Sequence, residues 1–255
     1  MRVVQIVFSP TGGTQKVADA FTSGLGASVE KIDLSDPKAD FAAVSLAKED
    51  IAVIAVPSFG GRVPALATER LEKIHGNKAR CVTVCVYGNR AYEDTLIELS
   101  DTVKKSGFQV IAGIAAIAEH SIMHQYATGR PDDEDRKELQ GFAEKVLAKI
   151  DGSPSDMSVP QIPGNHPYKK AGGAALVPKA DHRCNACGLC AEKCPAQAIN
   201  RDKPKETDGK KCISCMRCVA VCPQSARKVN SALVAVAAAA IKKACSEKKH
   251  NELFL

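Results

Sequence analysis

Through the first 150 positions, two kinds of apolar pattern alternate. The runs at 3–8, 28–34, 51–56, 80–87 and 110–117 are short, nearly continuous and rich in Val, Ile and Ala. Such runs read as strands buried on both faces. The stretches near 14–25, 65–75, 91–106 and 132–150 space their apolar residues with helical period instead; the connection at 36–49 shows neither pattern clearly. Strand–helix alternation of this kind predicts an α/β domain, a doubly wound, five-stranded parallel sheet with helices on both faces. Ligands of such sheets bind at the carboxyl ends of the strands, near a switch in strand order. Asp132, Asp133, Glu134 and Asp135 after Pro131 mark a helix start, because carboxylates favour the positive end of the helix dipole.

The alternation stops near residue 151. Residues 152–178 hold five prolines and four glycines, so no regular element can run far, and the segment reads as a linker. It is either a free tether or a strip laid across a domain, for which Ile162, Tyr168, Leu176 and Val177 are candidate anchors. Residues 231–246 are Ala-rich and predict a helix that packs on a neighbouring domain, with Lys242 and Lys243 complementing its C-terminal dipole. The expected organisation is a domain at 1–151, a linker at 152–178, a small α+β domain at 179–230 and a C-terminal helix and tail at 231–255.

Composition narrows the setting. The 255 residues are 45% hydrophobic and 25% charged, ordinary for a globular protein. The longest apolar stretch, 232–241, is well short of the ~18 residues of a membrane span, and the first residues enter a strand without a leader-like region. The expected location is a reducing cytoplasm, and low-potential chemistry would favour an anaerobe. Residues 1–151 carry 18 Lys and Arg against 21 Asp and Glu, while residues 152–255 carry 17 against 8. The basic half, with Lys203, Lys205, Lys210, Lys211, Arg217, Arg227 and Lys228, is either an ordinary solvated surface or a docking face for an acidic protein partner. No aromatic residues interleave these charges, so nucleic acid is not the expected partner. Homodimerisation is left open.

Eight of the 11 cysteines fall in two copies of one spacing, Cys184, Cys187, Cys190, Cys194-Pro195 and Cys212, Cys215, Cys218, Cys222-Pro223, offset by 28 positions. This is the run by which bacterial ferredoxins hold two [4Fe–4S] clusters, three cysteines of each arm binding one cluster and the fourth reaching the other. The expected sets are therefore Cys184, Cys187, Cys190 and Cys222 for cluster 1, and Cys212, Cys215, Cys218 and Cys194 for cluster 2. The rival is a pair of Cys₄ zinc sites, though each arm here carries four cysteines rather than two. Cys81 and Cys85, on one face of one strand, lie too far apart for a disulfide and read as packing groups.

Three strand ends carry candidate ligand loops. Ser9, Pro10, Thr11, Gly12, Gly13 and Thr14 open the first helix, where hydroxyls and backbone N–H groups can cradle a phosphate. No lysine follows as in a nucleoside-triphosphate loop, and no G-x-G-x-x-G supports a nicotinamide dinucleotide, so a terminal monophosphate fits better. Pro57, Ser58, Phe59, Gly60 and Gly61 follow the third strand; Tyr87, Gly88, Asn89, Arg90, Tyr92 and Asp94 follow the fourth. Their rings could stack on a flat heterocycle, or Phe59 could simply be core. Glu119, His120 and Ser121 follow the fifth strand; His120 and His124 are either proton donors or hydrogen-bonded structural residues.

Residues 9–14, between the first strand and first helix, resemble the phosphate loop of flavodoxins. Together with Gly60-Gly61-Arg62, Gly88-Asn89-Arg90 and the downstream cysteine arms, the chain is similar to the EFR-type flavodoxin–ferredoxin fusion proteins. That resemblance implies a flavodoxin-like fold and FMN, with Ser9, Thr11, Gly12, Gly13 and Thr14 on the phosphate and Phe59, Gly60, Gly61, Asn89 and Tyr92 around the ring. The chain departs from flavodoxins in having no Trp, and Arg227 stands where the first cysteine arm has Ile199. The expected function is an electron carrier that couples FMN to two one-electron clusters, with no catalytic residue assigned. The alternatives are an FMN-dependent oxidoreductase acting on a small substrate and a redox-sensing docking protein.

Overall fold

The computed structural model describes residues 2–152, 158–172 and 176–255. Five parallel strands, β1 (Val3–Val7), β2 (Val29–Asp33), β3 (Ile51–Pro57), β4 (Arg80–Tyr87) and β5 (Gln109–Ile117), stand in the order β2-β1-β3-β4-β5. This is the doubly wound order of the flavodoxin-like fold, and its switch point lies between β1 and β3. Each strand falls within a residue or so of its expected place. The unassigned connection at 36–49 holds a short 3₁₀ turn, Phe41–Ala43, started by the Asp40 carboxylate, which accepts from the Ala42 N–H at 3.0 Å.

Strand periodicity divides the core in two. Val3, Val7, Val53 and Ala55 face α1 (Gly13–Ser23) and α4 (Asp133–Asp151), meeting Val17, Phe21, Leu139, Phe142 and Val146. Val4, Ile6, Ala52 and Ile54 face α2 (Ala65–Leu71) and α3 (Thr95–Lys105), meeting Ala67, Leu71, Leu99 and Val103. Gln5 is the polar exception in β1. Its amide donates to Thr22 at 2.6 Å and Asp19 at 3.1 Å and accepts from Gln15 at 2.7 Å, so its burial is compensated and α1 is pinned over β1. The acidic start of α4 forms a capping box: Asp132 accepts from the Asp135 N–H, and Asp135 accepts from the Asp132 N–H.

The second domain carries its repeat into its backbone. A two-stranded antiparallel sheet of β6 (Lys179–Ala180) and β7 (Arg227–Lys228) flanks two single-turn helices, α5 (Leu189–Glu192) and α6 (Arg217–Ala220). Positive-φ residues recur 28 apart, as Ala186 with Ser214, Gly188 with Met216, and Gln197 with Ser225. The N–H groups of Ala198 and Ala226 each donate to a cysteine sulfur, Cys194 and Cys222, at the same 3.3 Å.

The chain end departs from the expected five-stranded sheet. Helix α7 (Ser231–Ile241) is capped by Asn230, and the tail then returns to the first domain, where β8 (Glu252–Phe254) pairs antiparallel with β5 as a sixth strand. Three residues carry no strand periodicity long enough to read. Asn251 guides them, accepting from the Ile117 N–H at 2.9 Å and donating to Asp135 at 3.0 Å and Glu138 at 2.5 Å. The added strand covers the β5 edge, while the exposed, charged β2 guards the other.

Residues 158–172 of the linker lie against the first domain. Asp94 accepts from the Asn165 backbone and side chain and from the Lys169 N–H, at 2.7 to 3.0 Å. Tyr168 donates to Asp101 at 2.6 Å, and Ile162 lies so close over β5 that a Cβ on Gly113 would collide with its Cδ1.

Candidate functional site

The cysteines gather into two cages. Cys184, Cys187, Cys190 and Cys222 line one small pocket; Cys194, Cys212, Cys215 and Cys218 line another. The positive-φ turns explain how: each C-x₂-C-x₂-C arm reverses twice and presents three sulfurs to one side, while the cysteine before Pro points across to the other cage. A cubane needs thiolates set around a volume, whereas one zinc ion needs them converging on a point. Thiols lining a shared pocket suit the former. Burial pushes the Cys215 and Cys218 thiols up, to about 11 and about 12, so the thiolates would be favoured there only beside a bound metal cation. At Cys222 burial acts the same way but is outweighed by backbone N–H groups of Ala226, Gln224 and Arg227, which hold that thiol below its usual value.

A much larger cavity, about 640 Å³, opens at the carboxyl ends of β1, β3, β4 and β5. This volume is typical of a cofactor pocket. Thr11, Gly13 and Thr14 line it at the start of α1, where Gly12 takes a left-handed φ of 92° and the Ser9 hydroxyl accepts from the Gln15 N–H at 2.9 Å. Pro57, Ser58, Phe59 and Gly60 form a second wall, Tyr87, Gly88 and Arg90 a third, and 118–123 a fourth. Phe59 and Arg62 exchange backbone hydrogen bonds across Gly60 and Gly61, which have φ of 63° and 84°. Two consecutive positive-φ residues define a type I′ turn, which accounts for the paired glycines. The remaining walls come from outside the first domain: Gly172 and Leu176 of the linker, Cys212 to Cys215 of the second cage, and Ala237, Ala240 and Ile241 of α7.

Several anticipated ligand residues are engaged elsewhere. The buried Asn89 side chain donates to the carbonyls of Cys245 and Glu247 at 3.0 and 2.8 Å and accepts from the Lys249 N–H. Asp94 holds the linker. Tyr92 packs against Tyr87, with ring centroids 5.3 Å apart, and its hydroxyl reaches Glu252 at 3.3 Å. Gly61 abuts Glu93, and Ser9 and Gly12 shape the first loop without lining the cavity. His124 turns outward to Glu119 at 2.7 Å. His120 does line the cavity: its Nδ1 accepts from the N–H groups of Ile122 and Met123, both at 3.2 Å, which leaves the ring proton on Nε2. Burial holds its pKa below the usual histidine value. Of the basic residues read as surface, Arg227 is buried and Arg217 faces the first domain; Lys203, Lys205, Lys210, Lys211 and Lys228 are exposed. The cavity walls 118–123, Ile213 and α7 were not legible as site residues apart from Glu119, His120 and Ser121, since apolar residues facing a cavity and facing a core look alike.

Three comparisons bear on this geometry. Residues 183–227 match the family described as the 4Fe-4S dicluster domain. The chain is 40% identical over 53 residues to NADH-quinone oxidoreductase subunit I of Sodalis glossinidius, covering 20% of this chain and 29% of that one. It is also 40% identical over 55 residues to the trichloroethene reductive dehalogenase of Dehalococcoides mccartyi, covering 16% of this chain and 10% of that one. The chain thus spans less than a third of either relative. Among solved structures, a flavodoxin from the domain Archaea aligns over 60% of this chain and 100% of its own, at 15% identity and a TM-score of 0.44. A Streptococcus pneumoniae TIGR4 flavodoxin aligns over 58% and 99%, at 20% identity and 0.42. The strand order, rather than these scores, carries the fold.

Fold and cages together define the class, a redox protein in which a doubly wound α/β domain precedes an iron–sulfur domain. By its strand order the first domain has a flavodoxin-like fold, and residues 183–227 match the 4Fe-4S dicluster domain. Among the described residues, no helix is long and apolar enough to cross a membrane.

Proposed function

We propose that the chain is an electron-transfer protein that holds FMN in the large cavity and passes electrons in the order cavity, second cage, first cage. One observation carries this reading: Thr11, Gly13 and Thr14 of the first loop and Cys212 and Cys215 of the second cage line the same cavity. The first cage shares no lining residue with it and includes the exposed Cys187, a fitting place for exchange with a partner protein. Bound FMN supplies two-electron redox chemistry and each cluster supplies one-electron chemistry.

The chain's own residues bind, orient and seal. The N-terminal amides of α1 and the Thr11 and Thr14 hydroxyls suit a terminal phosphate. Phe59, Tyr87, Ile122, Met123 and Ile213 give apolar walls for a planar ring, and α7 closes the side away from the sheet, excluding water. Arg217 anchors the second cage to the first loop by donating to the Pro10 carbonyl at 3.1 Å, and Arg70 donates to the Pro195 carbonyl at 2.8 Å.

Anaerobically purified protein should contain roughly eight irons and one FMN per chain, matching the two four-cysteine sets. Iron without flavin would refute the cavity assignment. If the order holds, Cys215→Ser slows arrival of electrons at the first cage from the flavin side, whereas Cys187→Ser leaves reduction of the second cage unchanged.

A second reading, reduction of a small substrate in the same cavity, is favoured by His120, whose Nε2–H is available as a proton donor. Turnover of a small acceptor that is lost in His120→Asn while electron transfer to a protein acceptor persists would establish it.

A further inference from the structure

Arg227 is among the largest fully buried side chains of the molecule, with 2% of its surface exposed. Its two Nη groups donate to neutral acceptors only: Thr207 Oγ1 at 2.9 Å and the carbonyls of Pro178, Pro204 and Glu206 at 3.2, 2.5 and 3.4 Å. Among the described residues no carboxylate pairs with it, and its buried Nε–H has no partner. A guanidinium does not shed its proton in a protein, and a buried cation without an anion is strongly disfavoured. The side chain lines the pocket of Cys184, Cys187, Cys190 and Cys222. An anion in that pocket would resolve both anomalies at once, offsetting the charge and accepting from Nε.

The internal repeat supplies a control. The residue 28 positions earlier is Ile199, which lines the other cage, so the buried cation lines one cage alone, although its charge also reaches Cys212 and Cys218 of the other. Arg217 at the second cage also has a buried Nε–H without a partner. Arg217 differs, though, in being partly exposed, with the Asp33 carboxylate 3.9 Å away.

We infer that Arg227 is the internal counter-cation and an N–H donor of the cluster held by Cys184, Cys187, Cys190 and Cys222, and that it raises that cluster's reduction potential. A cluster bound by four thiolates is anionic and gains a further negative charge on one-electron reduction, so a fixed nearby cation and a hydrogen bond to sulfur favour the reduced state. Arg227 is a tuning residue and not a ligand. The inference rests on the dicluster domain and does not require FMN; its failure is therefore separable from failure of the cavity assignment.

The test uses the holoprotein with iron and sulfide content measured first, followed by redox titration monitored by electron paramagnetic resonance. Cys187→Ser identifies which signal belongs to the first cage. Arg227→Ile, which installs the residue of the twin site, should lower that cluster's midpoint so that its reduced-to-oxidised ratio at a fixed potential falls at least tenfold, about 59 mV for one electron. Arg227→Lys should retain most of the potential, Arg227→Gln should fall between, and the second cluster, which Arg227 reaches by charge but does not line, should move less than the first. A fully loaded Arg227→Ile protein with both midpoints unchanged would overturn the inference. Should that variant fail to assemble the first cluster, wild-type holoprotein labelled with ¹⁵Nε-arginine decides. Pulsed spectra of the first cluster should show one arginine nitrogen coupling that disappears in Arg227→Lys, and absence of the coupling in wild type rejects the contact.

Discussion

Arg217, between Cys215 and Cys218 of the second cage, donates from Nη1 to the Pro10 carbonyl in the first loop of the other domain, at 3.1 Å across 207 residues of sequence. This bond and the Ile213 side chain, which packs against the first domain's core, seat the cage loop on the cavity rim. Arg217→Met should keep full iron content and fold while removing about 1 kcal/mol of docking free energy. Electron exchange between cavity and second cage, followed by flash photolysis, should slow roughly fivefold, in keeping with that energy. An unchanged rate would show that the cage is seated by other contacts.

Asp94 is 98% buried and gathers three donors from the linker. Asp94→Ala should leave those donors unpaired and cost about 2–3 kcal/mol. The predicted signature is local as well as global: amides of 158–172 should exchange faster, and the segment should become sensitive to limited proteolysis, ahead of any change at β1 or β3.

Asn251 joins the tail to the sheet and to α4 with buried hydrogen bonds. Asn251→Ala should therefore destabilise the holoprotein by about 2–3 kcal/mol, read as a lower midpoint of anaerobic thermal unfolding. Asn251→Asp should be worse, since it places a third carboxylate beside Asp135 and Glu138, whose pair of hydrogen bonds it also removes. Asp135 is already held down, to about 2: burial opposes this, but hydrogen bonds from Arg130, the Asp132 N–H and Asn251 prevail.

His120 predicts a pH response. Burial, followed by the His124 charge, lowers its pKa below the usual 6.5, so the folded protein holds it neutral while the unfolded chain protonates it. Its neutral form therefore supports the fold fully above about pH 6.5, and that support is lost as pH falls through the lower folded-state pKa. Protonation would also stop Nδ1 accepting from Ile122 and Met123, loosening a cavity wall. Flavin affinity should decline only as pH falls below about 6.5, through the lowered folded-state pKa, and His120→Asn, whose amide oxygen can still accept, should flatten the decline. Titration of bound flavin fluorescence at several pH values measures both.

The strands of the first domain were legible because each residue of β1 or β3 must face one of two apolar layers, a constraint written locally as continuous Val, Ile and Ala. The cages were legible because ligand spacing is a property of a short stretch of backbone, and the 28-residue repeat preserved even its left-handed turns. The first loop was legible for the same reason: Gly12 and Gly13 lie at a strand-to-helix junction whatever the rest of the chain does.

Only tertiary packing decided the rest. Asn89 and Asp94 sit in a loop that the sequence marks for ligand, yet in the fold their side chains bind the tail and the linker, because a polar group satisfies whichever partner folding brings to it. β8 is three residues paired with a strand more than 130 positions earlier, and Arg227 reads as surface charge until β7 buries it beside four thiols. Periodicity and ligand spacing are short-range constraints, each expressed within one segment. Which polar residue meets which partner depends on contacts between distant segments, and these exist only once the two domains and the tail have closed on one another.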